Sequence, residues 1–310
     1  MNAKKWLKIV FVIPIVLTGL SLLLLIQTFN LPLRFSNSIS YDVKLNFIKN
    51  NQLMRDSNTI VVGSSMALNN VNGVKLEDSS KKIEKVANLS SWGLQVSEVL
   101  QLIKLIKLDN INFIIYSTQY GDFSRDVLKN IDENEVKKYL NSQFTIYPYK
   151  VTIRGLMENL LNNIRYKETY LNPNKYSYLN YDRTGGVNFL FGSKYIDKIR
   201  WQGDYQKKYN LSKKSFEDLI ELSRMSEAHN IKLIVITTPM RESILYGNTD
   251  LLDIFNEYTN ELKSLSMKHN FMYLNTHKTL KLSDEYFVDK THLNKSGATL
   301  VSKEIIKLIK

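Results

Sequence analysis

Five short apolar runs, separated by helical segments, restrict this chain to one class of architecture. They are Thr59–Val62, Val86–Leu89, Ile111–Tyr116, Lys232–Ile236 and Phe271–Leu274. Most are rich in β-branched residues, which suit a pleated, buried surface. Between them, Val96, Val99, Leu100, Ile103 and Ile106 recur at helical spacing, and further helices are expected over about 251–269 and 295–309. Strands that alternate with helices of this length make right-handed crossovers and a parallel sheet. In such a sheet ligands bind beyond the carboxyl ends of the strands. Chemistry is therefore expected just after Val62, Leu89, Tyr116, Ile236 and Leu274.

Two segments stand outside that rhythm. The first is the uncharged stretch Ile9–Ile26, which Lys4, Lys5 and Lys8 precede. Eighteen such residues reach the length of a membrane-spanning helix, and no small-residue cleavage motif follows. The expected order is a cytoplasmic tail at 1–8, a transmembrane signal anchor at 9–26 and a juxtamembrane connector at 27–55. The lysines keep the tail inside, so everything beyond about residue 30 is expected outside the cell membrane. The second is 143–212, which holds ten of the 18 tyrosines and eleven basic against five acidic residues. It has one helical pattern, Val151–Ile164, and reads as an insertion forming a cap within a domain of 56–310.

The chain carries 42 basic and 30 acidic residues, a net +12, of which +9 remains beyond the anchor. That field favours anionic headgroups or a phosphate-bearing polymer. Nucleic acid would suit the charge but not the compartment. There is no cysteine, which excludes disulfides and thiolate metal sites. No phosphate loop, dinucleotide fingerprint or metal-spaced histidine set occurs, so neither a cofactor nor a metal is expected.

Gly63-Ser64-Ser65 closes the first run ahead of a helix, where a serine can expose its hydroxyl beside free backbone N–H groups. Asp289-Lys290-Thr291-His292 lies between the last run and the last helix. An aspartate three residues before a histidine can orient the imidazole on one nitrogen and leave the other as a base. His229 and His269 end amphipathic helices and His277 follows the fifth run, so His292 is the histidine placed for chemistry. Arg241, just after Pro239 on the same edge, either touches substrate or starts the next helix.

The blocks in this order resemble those of the SGNH (GDSL-like) hydrolase superfamily. Ile60–Ser65 is similar to its first block, with Ser65 as nucleophile and Ser64 where Asp is commoner. Asn88–Gly93 resembles the second, and Asp289–Asn294 with Gly297 resembles the last. The resemblance covers roughly 56–125 and 230–310. It implies a flavodoxin-like α/β three-layer sandwich and an oxyanion hole from the N–H groups of Ser65 and Gly93. The third block departs: Ser117-Thr118-Gln119-Tyr120 replaces Gly-x-Asn. Gln119 can supply the missing amide, or the hole lacks its third donor. A serine, glutamine and aromatic at this place are similar to the D-alanyl transfer proteins of teichoic acid biosynthesis, which also carry an N-terminal anchor.

The sequence thus predicts a membrane-anchored serine esterase or acyltransferase with Ser65, His292 and Asp289 as its catalytic residues. Its expected substrate is an O-acyl group, acetyl or D-alanyl, on a cell-envelope glycan or teichoic-type polymer. By analogy it implies a multi-pass membrane O-acyltransferase as partner. A lipid or small-ester hydrolase, and a catalytically inactive scaffold or glycan-binding protein of the SGNH fold, remain as alternatives.

Overall fold

A computed structural model describes residues 3–29, 35–36, 38–51, 53–124, 131, 133–142, 169–192, 198–202 and 210–310. The five apolar runs form β1 (Thr59–Gly63), β2 (Val86–Asn88), β3 (Phe113–Thr118), β4 (Lys232–Thr237) and β5 (Phe271–Asn275). All neighbours are parallel, in the order β2-β1-β3-β4-β5. That is the flavodoxin-like order, and the chain reverses its direction of travel across the sheet between β1 and β3. β3 starts two residues later than expected and runs on to Thr118, because Ser117 pairs with both Gly63 and Ile236.

Successive side chains of a strand point to opposite faces, and both faces of this sheet are apolar. Ile60, Val62, Ile114, Tyr116, Leu233 and Val235 point to one side. There they meet helices Ile39–Asn50, Val96–Lys104, Lys213–Ala228 and Thr249–Lys268. Val61, Ile115, Ile234 and Ile236 point to the other, against Ser65–Asn70, Gly73–Ser79 and Lys295–Ile309. The result is a three-layer α/β sandwich around a parallel central sheet. Each Val, Ile or Leu fully buried in it contributes about 1.5–3 kcal/mol.

The structure redraws the amino-terminal expectations in two ways. Part of the expected connector is a core helix: within Ile39–Asn50, Tyr41, Leu45 and Ile48 are buried against the sheet layer. The stretch expected as an anchor lies in helix Ala3–Phe29. Among the described residues, however, no helix is long and apolar enough to cross a membrane. The described side chains of that helix end at Leu22, short of the ~20 that a span needs, so the last part of 9–26 lies outside them.

Of the insertion, 169–192, 198–202 and 210–212 are described, and 169–192 lies along the carboxyl edge of β1 and β2. Asn88 N–H donates to Thr184 O at 2.7 Å, and Val187 N–H to Leu68 O at 2.9 Å. Lys44, fully buried, fastens it from below: Nζ donates to the carbonyls of Asn88 and Gly185 and sits 4.0 Å from the centre of the Tyr181 ring. Burial lowers its pKa to about 7. The helix expected over Val151–Ile164 lies outside the described residues.

Candidate active site

The turn after β1 can be made only with glycine at position 63. Gly63 has φ of 140°, and a Cβ there would stand 2.3 Å from Ser117 O. The chain then enters helix Ser65–Asn70 with Ser64 as its cap, Ser64 Oγ accepting from Met66 N–H. Ser65 is the first residue of that helix, so its N–H has no intrahelical partner and is left as a donor.

Ser65 Oγ lies 2.8 Å from His292 Nε2. His292 Nδ1 lies 2.7 Å from Asp289 Oδ2. The other oxygen, Asp289 Oδ1, accepts from the backbone N–H groups of Thr291 and His292 at 2.8 and 2.7 Å. Residues 227 positions apart are held at this distance by the nucleophile's own helix. Asn70, its last residue, donates from Nδ2 to Thr291 O and accepts from Leu293 N–H on Oδ1, both at 2.8 Å. The helix that presents Ser65 therefore also grips the loop that presents His292. Gly297 lets that loop close, since a Cβ there would stand 2.8 Å from Tyr286 O.

A residue that the sequence pattern did not reveal completes the carboxylate's shell. Tyr176, from the insertion, donates its hydroxyl to Asp289 Oδ2 at 2.5 Å, with Oη 2.9 Å from His292 Nδ1. Its ring stacks on Phe189 at 5.7 Å, and the Arg200 guanidinium lies 4.2 Å from its centre. Burial, then the adjacent Asp289, holds the phenol's pKa well above its usual value, so it stays a donor. Burial alone would raise the Asp289 pKa. Its attraction to His292 and the hydrogen bonds from His292 and Tyr176 outweigh that and keep it ionised, well below the usual range. No local period marks Tyr176 among the insertion's tyrosines; only the fold brings it here.

Asp122 was also not singled out. It is buried at the end of β3, where its Oδ2 accepts from Ser64 Oγ at 3.0 Å, Thr118 Oγ1 at 3.1 Å and Gln119 N–H at 3.0 Å. Burial pushes its pKa up to about 7, against those three hydrogen bonds and the attraction of His292. Asp122 thus ties the ends of β1 and β3 together. A carboxylate three residues after Gln119, at a helix-start spacing, was the signal available in the sequence.

Gly93 and Gln119 reach the same edge. Ser91 N–H donates to Gly63 O at 3.3 Å, which lays the loop after β2 beside the Ser64–Ser65 turn. Gly93 itself is exposed, with φ of 63°. Gln119 is partly buried at the cap of the short turn Tyr120–Phe123, in a reciprocal capping box with Asp122. Arg241 takes the other place expected of it, at the start of the next helix, as the cap of Glu242–Leu245. Its buried guanidinium donates from Nε and Nη2 to Asp284 at 3.0 and 2.7 Å and from Nη1 to Trp201 O at 2.6 Å, and it lies over the Trp201 ring. Its backbone N–H donates to Lys290 O, so it buttresses the Asp289–His292 loop from behind.

This edge holds a hydroxyl, a base and an oriented carboxylate in line, with backbone donors beside the hydroxyl. Such a set can activate an alcohol for attack on an acyl carbon. No family model matches the chain, and no curated protein does. Among solved structures, it is similar to a Bacteroides fragilis protein provisionally named an acylhydrolase, at 11% identity over 85% of this chain and 93% of that one, with a TM-score of 0.43. It is also similar to an Agrobacterium tumefaciens protein provisionally named an arylesterase, at 10% identity over 81% and 98%, with a TM-score of 0.37. Likenesses of this size carry no argument about activity.

Proposed function

We propose that the chain is a serine esterase or O-acyltransferase working through an acyl-serine. One observation carries this reading: the unbroken line Ser65 Oγ–His292 Nε2, 2.8 Å, and His292 Nδ1–Asp289 Oδ2, 2.7 Å. His292 Nε2 takes the Ser65 proton as Oγ attacks the acyl carbonyl. The carbonyl oxygen becomes an oxyanion, for which the N–H groups of Ser65 and Gly93 and the amide of Gln119 are the available donors; each such donor is worth about 10²–10³ in rate. Collapse breaks the ester C–O bond, and His292 returns its proton to the departing alkoxide. Water (hydrolysis) or a second hydroxyl (transfer) then reverses the steps and frees Ser65. Asp289 stays ionised and holds the imidazole in place.

The substrate we propose is an O-acylated cell-envelope polymer, met outside the membrane, with residues 9–26 as the tether. The support is the uncharged stretch behind three lysines and the basic excess of 143–212 in the sequence. In addition, the described apolar side chains of the first helix, among them Trp6, Phe11, Ile15 and Leu20, are exposed rather than packed on the domain. A membrane O-acyltransferase that delivers the acyl group belongs to the same proposal. To test the chemistry, the full chain is given p-nitrophenyl acetate. The expected result is turnover that falls by about 10³ or more in Ser65→Ala and His292→Ala. Equal rates in wild type and Ser65→Ala would defeat it.

A further inference from the structure

The insertion lines a second feature that the acyl chemistry does not use, an open cavity of about 420 Å³. That size falls in the range of small-ligand sites, about 300–1,000 Å³. Three stretches line it: Asn72 to Asp78 after the nucleophile's helix, Tyr178 to Leu190 of the insertion, and Lys295 at the start of the last helix. The last two adjoin the site along the chain. Tyr178 is two residues from Tyr176. Leu190 follows Phe189, whose ring stands edge-on to His292 with centres 6.2 Å apart. Lys295 is three residues beyond His292, and its N–H donates to Phe189 O.

The lining offers donors and acceptors in mixture, next to aromatic surface. The side chains of Lys75, Tyr178, Asn180 and Lys295 make no hydrogen bond or ion pair among the described residues. Asp182 accepts three hydrogen bonds on Oδ1, from Thr184 N–H, Thr184 Oγ1 and Gly186 N–H, which leaves Oδ2 for a ligand. Asn188 donates from Nδ2 to Asn69 O and leaves Oδ1. Charge is balanced: Lys75 and Lys295 face Asp78 and Asp182, and Arg183 pairs with Glu77 and Asp78. A phosphate would need a net positive site. A sugar ring needs hydroxyl partners of both kinds and an aromatic surface, for which Tyr178 lines the cavity.

We propose that this cavity is a subsite for a neutral pyranose unit, part of the glycan whose acyl group is transferred at Ser65. The proposal rests on the serine-acyl reading for that last clause, and on the cavity alone for the first. A sugar seated there and continuing past Phe189 brings the next unit to the Ser65–His292 pair.

Calorimetric titration tests it, using the full-length Ser65→Ala chain and the tetrasaccharides of N-acetylglucosamine and of glucose. At least one is expected to bind with a dissociation constant of about 1 mM or tighter, a modest −4 kcal/mol. The double variant Asn180→Ala/Lys295→Ala, which removes side chains with no described partner, should weaken that binding tenfold or more at unchanged melting temperature. Failure of both sugars to bind, unchanged affinity in the double variant, or variant-sensitive binding of inorganic phosphate in place of sugar would each overturn the subsite. Wild type that binds sugar but does not turn over p-nitrophenyl acetate would refute the acyl reading and leave the subsite standing.

Discussion

Tyr176→Phe removes one oxygen and leaves the ring stacked on Phe189 under Arg200. What is lost is the 2.5 Å hydrogen bond from the phenol to Asp289 Oδ2. A hydrogen bond to a charged group is worth about 1.5–3 kcal/mol. Asp289 keeps three other donors, the backbone N–H groups of Thr291 and His292 and the imidazole itself, so its place is held. With one donor gone, the carboxylate holds the imidazole less firmly. If half of the lost energy, about 1 kcal/mol, is felt in the transition state, kcat/KM for p-nitrophenyl acetate falls about fivefold. The assay is kcat/KM of wild type, Tyr176→Phe and Tyr176→Ala, alongside their melting temperatures. A structural role alone would lower the melting temperature and leave kcat/KM in place. A kcat/KM of Tyr176→Phe within twofold of wild type would refute the reasoning.

Two further outcomes follow from buried charges. Asp122 holds its proton more tightly folded than unfolded, so its contribution is complete below about pH 4 and is lost as pH rises through about 7, by up to roughly 4 kcal/mol. Urea midpoints of wild type should fall over that window relative to Asp122→Asn, and parallel curves from pH 4 to 8 would contradict this. Arg241→Ala breaks a pair buried on the arginine side and half exposed at Asp284. It is expected to cost about 2 kcal/mol, less than the ~3–5 of a fully buried pair. Calorimetry should show a lower melting temperature, whereas a raised KM at unchanged stability would restore Arg241 as a substrate contact.

The sheet was legible because its signal is local. Five short apolar runs between helical periods dictate a parallel sheet, and the rule that ligands meet its carboxyl edge brings Ser65, Asp289 and His292 into one place from the sequence alone. Side chains whose direction depends on packing were not legible. Arg241 starts the next helix, yet no local pattern announces that Asp284 and Trp201 hold its guanidinium. Tyr176 reaches Asp289 across 113 residues of chain, through an insertion with no periodic pattern. Asp122 lay within reach of sequence reasoning, but its capping place after Gln119 gains meaning only once β1 and β3 are paired. The helix Ile39–Asn50 was read as a connector because its buried side includes Ser40, Asp42 and Lys44, whose partners are distant or non-helical.

The central claim is that His292 activates Ser65. The direct measurement is covalent labelling of the full chain by a fluorophosphonate, with the modified residue located by mass spectrometry in wild type, Ser65→Ala and His292→Ala. The account predicts one label, on Ser65, abolished in the first variant and slowed by about 10³ or more in the second. Folded wild-type protein that resists the probe, or labels equally fast without His292, would contradict it.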